Sequence, residues 1–360
     1  MQQFKRGFLP EQDPVRSLSR FPELDVLDEI GHDLPSLLYD PRFRDRVRRW
    51  SLPHWPADAS GSDDLLELRL YYVRLGFLAS AYVNQLGQPR ASALPAVVAV
   101  PLCDACRRLG RPPILSYDGY ALYNWKRFEP AEPVALGNID TLQNFVHLYD
   151  EHWFILVHVE IEAIAADILA AIARAEPALH RGDGDPLDQC LAETADAVWR
   201  QVAVLRRIPE HMDPALYYRT FRQYIRFFER VTYEGVVDEP MDYRGETGAQ
   251  SSIMPTLIAL MKIPHRQTAL TDHLADMRRF MPPAHRAFID RVASLPPVRN
   301  LASKQLHNEV LEAMATFREV HYGWAQEYIN KWVDDPRGTG GTPYMQWLHQ
   351  LIDETRAAMI

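Results

Sequence analysis

Cysteine is scarce in this chain. Of 360 residues only Cys103, Cys106 and Cys190 are cysteines, and an odd count without an export signal argues for reduced thiols over a disulfide framework. Cys103-Asp104-Ala105-Cys106 has the CxxC spacing, yet no second pair or histidine-rich segment completes a four-ligand zinc site. It reads more simply as two small apolar side chains packed near a helix start. Positive charge is also in short supply: 39 Lys and Arg stand against 48 Asp and Glu, a formal net charge of -9. Such a surface repels nucleic-acid phosphates and anionic lipid headgroups, and no local basic patch offsets it, so neither nucleic acid nor membrane is an expected partner. Long apolar runs are missing too. The most apolar stretch, 153–172, is interrupted by His158, Glu160, Glu162 and Asp167, whose desolvation in hydrocarbon would be costly. Met1-Gln2-Gln3-Phe4-Lys5-Arg6 is followed by proline and acidic residues, unlike a secretory signal, and the expected location is the cytoplasm. The common catalytic templates do not occur: there is no GxSxG, HExxH, GxGxxG after a strand, or EF-hand loop.

What is present is ordinary globular composition, 47% hydrophobic and 24% charged, in a chain long enough for two lobes with filled cores. The opening ~60 residues are proline-rich and broken, with short helical patches at 24–30 and 34–39. Leu65, Leu68, Tyr72, Leu75 and Leu78 recur at three- and four-residue spacing and predict a helix over 63–86. Another is predicted over 97–109, after which Pro112-Pro113 and Asp118-Gly119 make 112–124 an irregular, aromatic-rich loop. Pro130, Pro133 and Gly137 mark a lobe boundary, followed by a strand-like piece at 142–149. Asp150 is placed to cap a helix over 151–174, and further helices are expected over 187–207, 214–231, 267–280, 284–294, 299–333 and 343–358. The expected architecture is mainly α: a smaller, mixed but mostly helical N-terminal domain over 1–137 and a large all-helical domain over 138–360.

Two histidines stand where a core should be apolar. Met314, Phe317, His321, Trp324 and Tyr328 follow one another at spacings of three and four, which turns His321 inward with an apolar stripe. A buried imidazole requires a partner, either a hydrogen-bond acceptor or a metal, and pattern alone favours the ordinary partner. Haem iron commonly takes one axial imidazole, and Arg318, one turn earlier on nearly the same face, is placed to meet a haem propionate. In the second case Phe154, His158 and Glu162 share one face of an apolar helix, where the His and Glu either bond to each other or to backbone, or line a pocket.

Two glycine-rich turns offer backbone N–H groups to an anion, or serve only as connectors. One is Gly338-Thr339-Gly340-Gly341-Thr342 before Pro343, with no following Lys to make it a Walker loop. The other is Gly245-Glu246-Thr247-Gly248-Ala249-Gln250-Ser251-Ser252. Arg222, in Tyr217-Tyr218-Arg219-Thr220-Phe221-Arg222, is an aromatic-flanked cation suited to a bidentate carboxylate contact, although a surface ion pair is the commoner use of such a residue.

Several segments in the same order resemble the indoleamine 2,3-dioxygenase family over nearly the whole chain. The most specific is Asp276-Met277-Arg278-Arg279-Phe280-Met281-Pro282-Pro283-Ala284-His285-Arg286. It is joined by Leu94-Pro95 through Val100-Pro101, Pro112-Pro113-Ile114-Leu115, Asn124-Trp125-Lys126, Gln250-Ser251-Ser252 and the turn ending at Thr342. The resemblance implies a small N-terminal lobe over a large helical haem b domain, with O2 and L-tryptophan bound on the distal side. The implied reaction inserts O2 across the indole C2–C3 bond and yields N-formylkynurenine, the first step of the kynurenine pathway. The same resemblance places His321 at the proximal iron ligand, with Arg318 beside the cofactor, and Arg222 at the substrate carboxylate. Tyr117, Tyr120, Phe154 and Tyr217 fall around the indole or the haem, while Thr247, Gly341 and Thr342 belong to the substrate-binding set, the last two closing over its amino-acid end. His158 stands where the animal enzymes have a serine and the related tryptophan 2,3-dioxygenases a histidine, so it is read as the group that bonds the indole N–H or the oxygen. Tyr217 and Tyr120 replace a phenylalanine and a cysteine, which makes the pocket more polar, and the stretch 332–338 lacks the long insert of the mammalian proteins. An electron donor that keeps the iron ferrous is implied, and a monomer is expected. Competing expectations are oxygenation of another indole derivative, a non-catalytic haem or gas-binding protein, and a haem-free helical scaffold.

Overall fold

A computed structural model describes residues 4–59, 61–332 and 344–360. Among them the chain is mainly helical. The helices are α1 (Asp25–Leu37), α2 (Phe43–Val47), α3 (Ser62–Val83), α4 (Ala96–Leu109), α5 (Tyr149–Arg181), α6 (Gly184–Leu205) and α7 (Pro214–Arg219). They continue with α8 (Phe221–Tyr224), α9 (Ile253–Met261), α10 (Ala269–Arg278), α11 (Pro283–Ala293), α12 (Lys304–Tyr328) and α13 (Tyr344–Ala357). The strands are short: β1 (Lys5–Phe8), β2 (Ala93–Leu94), β3 (Trp125–Arg127), β4 (Ile139–Thr141), β5 (Phe228–Tyr233) and β6 (Val237–Tyr243). One sheet has the order β2-β5-β6, with β2 parallel and β6 antiparallel to β5, while β3 and β4 form a separate antiparallel pair.

Helix α5 organises the molecule because it is apolar on two sides, and a helix apolar nearly all round has to be covered nearly all round. Ile155, Leu156 and Val159 enter a core built with α1, α3, α4 and the 114–125 loop. Trp153, Val157, Ile161, Ile168 and Ile172 enter a second core built with α6, α9, α11 and α12. The strip between these sides carries Phe154, His158 and Glu162. Strand β1 crosses α5 on that strip's far end at Gly7 (φ +66), where an added Cβ would stand 2.0 Å from the Glu162 carbonyl oxygen, so only glycine permits the approach.

The structure corrects the sequence reading at several places. The helix expected over 214–231 is two short ones, broken at Thr220 (φ -115, ψ -100), and the last residues form β5 instead. Phe228, Val231, Thr232 and Tyr233 are β-branched or aromatic; Phe228 and Val231 pair with β6, Thr232 with β2, and Tyr233 with both. The strand expected over 142–149 lies earlier, at β4, because Asn124 Oδ1 accepts from the Leu142 and Gln143 N–H groups and takes the place of a ladder there. Helix α5 starts at Tyr149 with Leu148 as its cap residue, so Asp150 does not cap it. Asp150 sits in the first turn, where negative charge is favoured, and Oδ1 accepts from the Asp213 N–H at 2.7 Å. Cys103 and Cys106 lie in the second half of α4, away from its start, and burial pushes both thiols up to about 12. All three cysteines are free. Among the described residues no helix is long and apolar enough to cross a membrane.

Candidate active site

The uncovered strip of α5 forms one wall of the site. His158 Nδ1 lies 2.7 Å from the Phe154 carbonyl oxygen one turn back, a contact that requires the proton on Nδ1. Burial holds the imidazole below its ordinary pKa, so the ring is neutral near neutral pH and Nε2 is left with a lone pair. The Phe154 ring is the hub of the wall, 4.6 Å from the His158 ring, 5.5 Å from Tyr217 and 6.3 Å from Tyr120 between centroids. Tyr117 meets His158 edge-on at 6.0 Å. The structure therefore brings Tyr117, Tyr120, Phe154, His158 and Tyr217 together.

Buried acids brace this wall from behind. Tyr117 Oη and Ser251 Oγ both donate to Glu162 Oε1, at 2.8 and 2.6 Å. Tyr120 Oη donates to Glu151 Oε1 at 3.1 Å, and Glu151 also accepts from the Phe145 and Val146 N–H groups. Gln250 joins the two polar loops: its Oε1 accepts from the Tyr117 N–H and its Nε2 donates to the Gly245 carbonyl, each at 3.0 Å. Gly245 lies so close to the chain after α8 that an added Cβ would stand 2.4 Å from the Ile225 carbonyl oxygen. That approach, with the Glu246 N–H donating to the Ile225 carbonyl at 3.1 Å, holds the 245–252 turn against the chain that leaves α8. The 117–122 loop, a single π-turn over 118–122, is anchored by a buried Arg111–Asp118 ion pair whose guanidinium lies 4.4 Å over the Tyr72 ring.

His321 is carried by α12, whose Tyr328 ring meets Tyr217 edge-on at 5.9 Å. The sequence turned His321 inward, whereas the structure leaves the residue exposed, because the apolar stripe of α12 is covered at Met314 and Tyr328 and not at 321; the atoms around the ring, with a smaller effect from nearby His158, push its pKa down to about 4. Among the described residues no hydrogen bond holds the His321 ring, and no group of three His, Cys, Asp or Glu forms a metal site. A lone neutral imidazole with an open lone pair suits a metal that arrives with its other ligands, as iron does in a porphyrin. The residues present fit haem on that ground.

The remaining expected residues are placed as follows. Arg222 is 3% exposed on α8, its guanidinium 5.1 Å over the Tyr218 ring, which removes the surface ion-pair reading. Arg318 is buried, and its Nη1 donates to the Leu351 carbonyl at 2.7 Å and to Thr355 Oγ1, tying α12 to α13. Thr247 caps the short 248–250 turn by accepting from the Ala249 N–H. Gly341 and Thr342 lie outside the described residues. Sequence reasoning considered Glu162 only beside His158, with which it does not bond, named the buried Glu246 only as part of a polar turn, and gave Glu151 no role. The available signal was an acid at an apolar helix position; its hydroxyl partners are far away in the chain.

The family model described as indoleamine 2,3-dioxygenase matches residues 3–333. The chain belongs to the indoleamine 2,3-dioxygenase family. Indoleamine 2,3-dioxygenase 1 of Rattus norvegicus is 30% identical over 363 residues, covering 92% of this chain and 88% of the relative. Indoleamine 2,3-dioxygenase of Saccharomyces cerevisiae is 28% identical over 416 residues, 98% of this chain and 91% of the relative. A protein named myoglobin, from Haliotis madaka, is 24% identical over 352 residues, 91% of this chain and 90% of the relative. As a member of the family the chain is an oxidoreductase, a haem-dependent dioxygenase that uses O2 and acts on tryptophan or an indole derivative.

The buried groups of this indoleamine 2,3-dioxygenase family member predict an uneven pH profile of stability for the ligand-free protein. Burial pushes Glu162 up to about 7, and Glu151 and Glu246 up to about 8, from an ordinary 4.5. The unfolded chain releases these protons first, so their effect is a loss of stability that grows as pH rises from 4.5 and is complete above 8. Burial pushes His321 down to about 4 and His285 to about 3 from 6.5, so these cost stability as pH falls below 6.5. Urea midpoints should therefore be highest on the mildly acidic side and decline between about pH 6.5 and 8. A midpoint that stays flat or climbs over that interval would contradict the assignment of neutral buried acids.

Proposed function

We propose that the substrate is L-tryptophan, that both atoms of O2 enter it across the indole C2–C3 bond, and that N-formylkynurenine is released. The observation that carries this reading is the His158 ring. With Nδ1 engaged by the Phe154 carbonyl and the ring neutral, Nε2 is left as a hydrogen-bond acceptor. The indole N–H is a donor with no acceptor function, so the two are complementary. His158 then orients the ring and offers no proton.

When bound, haem supplies the activation of oxygen. His321 would hold its iron, and Arg318 would face its acidic edge with the nitrogens that α13 does not occupy. Phe154, Tyr217, Tyr117 and Tyr120 flank the indole and exclude water from it. Arg222, buried on α8, pairs with the substrate carboxylate, and Thr247, with Gly341 and Thr342, borders the amino-acid end. The N-terminal domain, 1–137, covers this pocket, and the 138–360 domain carries the cofactor. Both oxygen atoms end in the product, so turnover consumes no reductant, and the electron donor serves only to keep the iron ferrous. The protein works in the cytoplasm as a monomer.

The test is the mass of the product formed from L-tryptophan and 18O2 by reduced, haem-loaded protein. Two labelled atoms in N-formylkynurenine are expected. One labelled atom would mean mono-oxygenation and overturn the proposed reaction. The relative named myoglobin supports a second reading, in which haem and O2 are held without turnover. Stable O2 binding with no product from any indole would favour it.

A further inference from the structure

Glu162 ties the α5 wall to both polar loops. It stands one turn beyond His158, is wholly buried, and receives the Tyr117 and Ser251 hydroxyls on the same oxygen. Its other oxygen, Oε2, is buried with no hydrogen-bond partner. A buried carboxyl with one bare oxygen is costly, and a plain structural bridge between two hydroxyls is obtainable from less polar side chains. Tyr117 is held at both ends, its N–H by Gln250 and its hydroxyl by Glu162, and between those ends its ring lies edge-on to His158. The approach of Gly7 to the Glu162 carbonyl seals the same turn from outside. Movement of Glu162 thus reaches His158 through Tyr117 and not through a direct bond.

We propose that Glu162 is a positioning residue of the substrate pocket, which fixes the Tyr117 ring against His158 and thereby sets the plane in which the indole is held. The inference rests on the reading of the pocket given above. It assigns no proton transfer to Glu162, and it separates Glu162 from the residues that touch substrate.

The experiment compares Glu162→Leu, Glu162→Gln, Tyr117→Phe and the Glu162→Leu/Tyr117→Phe double variant in haem-loaded protein. Dissociation of L-tryptophan is followed by the shift of the haem absorption band, with kcat and KM measured beside it. Loss of one positioning hydrogen bond is expected to weaken binding about tenfold in Glu162→Leu and in Tyr117→Phe. The double variant should be no weaker than either single one, because both remove the same link. Glu162→Gln, which retains an acceptor oxygen, should recover most of the affinity. Additive losses, or a Glu162→Leu protein that melts earlier yet binds like the wild type, would reduce Glu162 to a structural role. Should Glu162→Leu fail to fold, Tyr117→Phe decides, since unchanged binding there overturns the proposal. A readout independent of turnover is the flip rate of the Tyr117 ring, taken by NMR on ring-labelled, ligand-free protein: it should rise in Glu162→Leu, and an unchanged rate would overturn the link. A wild type that binds no L-tryptophan but shows the changed ring motion would sink the substrate reading and leave the Glu162–Tyr117 tether standing.

Discussion

Replacing His321 by alanine is expected to leave a folded protein that no longer retains haem. The side chain already faces accessible space and makes no hydrogen bond among the described residues, so its truncation removes little packing. Its ordinary charge is already suppressed, with a pKa near 4, so no ion pair is broken at neutral pH. What disappears is an imidazole lone pair that makes no hydrogen bond among the described residues. Changes in groups that merely support a metal ligand cost roughly 10–100-fold in affinity, and loss of the ligand itself should exceed that range. The measurement is haem titration by visible absorption, with circular dichroism to establish folding. Added imidazole should restore part of the ligation, because a free ring can enter the space the side chain vacated. A His321→Ala protein with the wild-type haem spectrum and affinity would remove His321 from the site and reopen the search for the axial ligand.

Replacing Arg222 by alanine should chiefly weaken the binding of tryptophan. A charge-assisted hydrogen bond to a carboxylate contributes about 1.5–3 kcal/mol, or roughly tenfold to 150-fold in affinity. The comparison that isolates this effect is indole itself, which has no carboxylate: its affinity should change little in Arg222→Ala. Arg222→Lys restores the charge without the planar fork and should fall between the two. Because Arg222 is buried over Tyr218, stability is measured in parallel, and kinetic values are compared only at temperatures where every variant is folded. Equal losses for tryptophan and indole would mean that the variant has disturbed the pocket as a whole, and the carboxylate assignment would fall.

Much of the helical frame was readable from spacing. Leu68, Tyr72, Leu75 and Leu78 follow a 3.6-residue period along α3, and the same period picks out α4, α6, α11 and α12. Segments whose state depends on a distant neighbour were misread. Residues 228–233 carry a pattern that an isolated chain can fold either way, and they become a strand because β2, from 93–94, and β6 lie along their edges. Likewise the backbone N–H groups of Leu142 and Gln143 go to the Asn124 side chain, a contact with no local signal, and those of Phe145 and Val146 go to Glu151.

The site divides along the same line. Periodicity alone set Phe154, His158 and Glu162 on one helix face and His321 in register with Met314, Phe317 and Tyr328 on α12, since a helix repeats its face every three or four positions whatever surrounds it. Which of these side chains meet each other was a matter of tertiary packing. Glu162 takes its hydrogen bonds from residues 45 and 89 positions away, and His158 turns to the backbone of its own helix instead of to Glu162. The suppressed charge on both histidines and the neutral state of the acids come from the low polarity of an assembled interior, which no single segment creates. Residue type and period therefore set what chemistry was available on each helix, whereas long-range closure of the chain decided which groups meet and in what protonation state they do so.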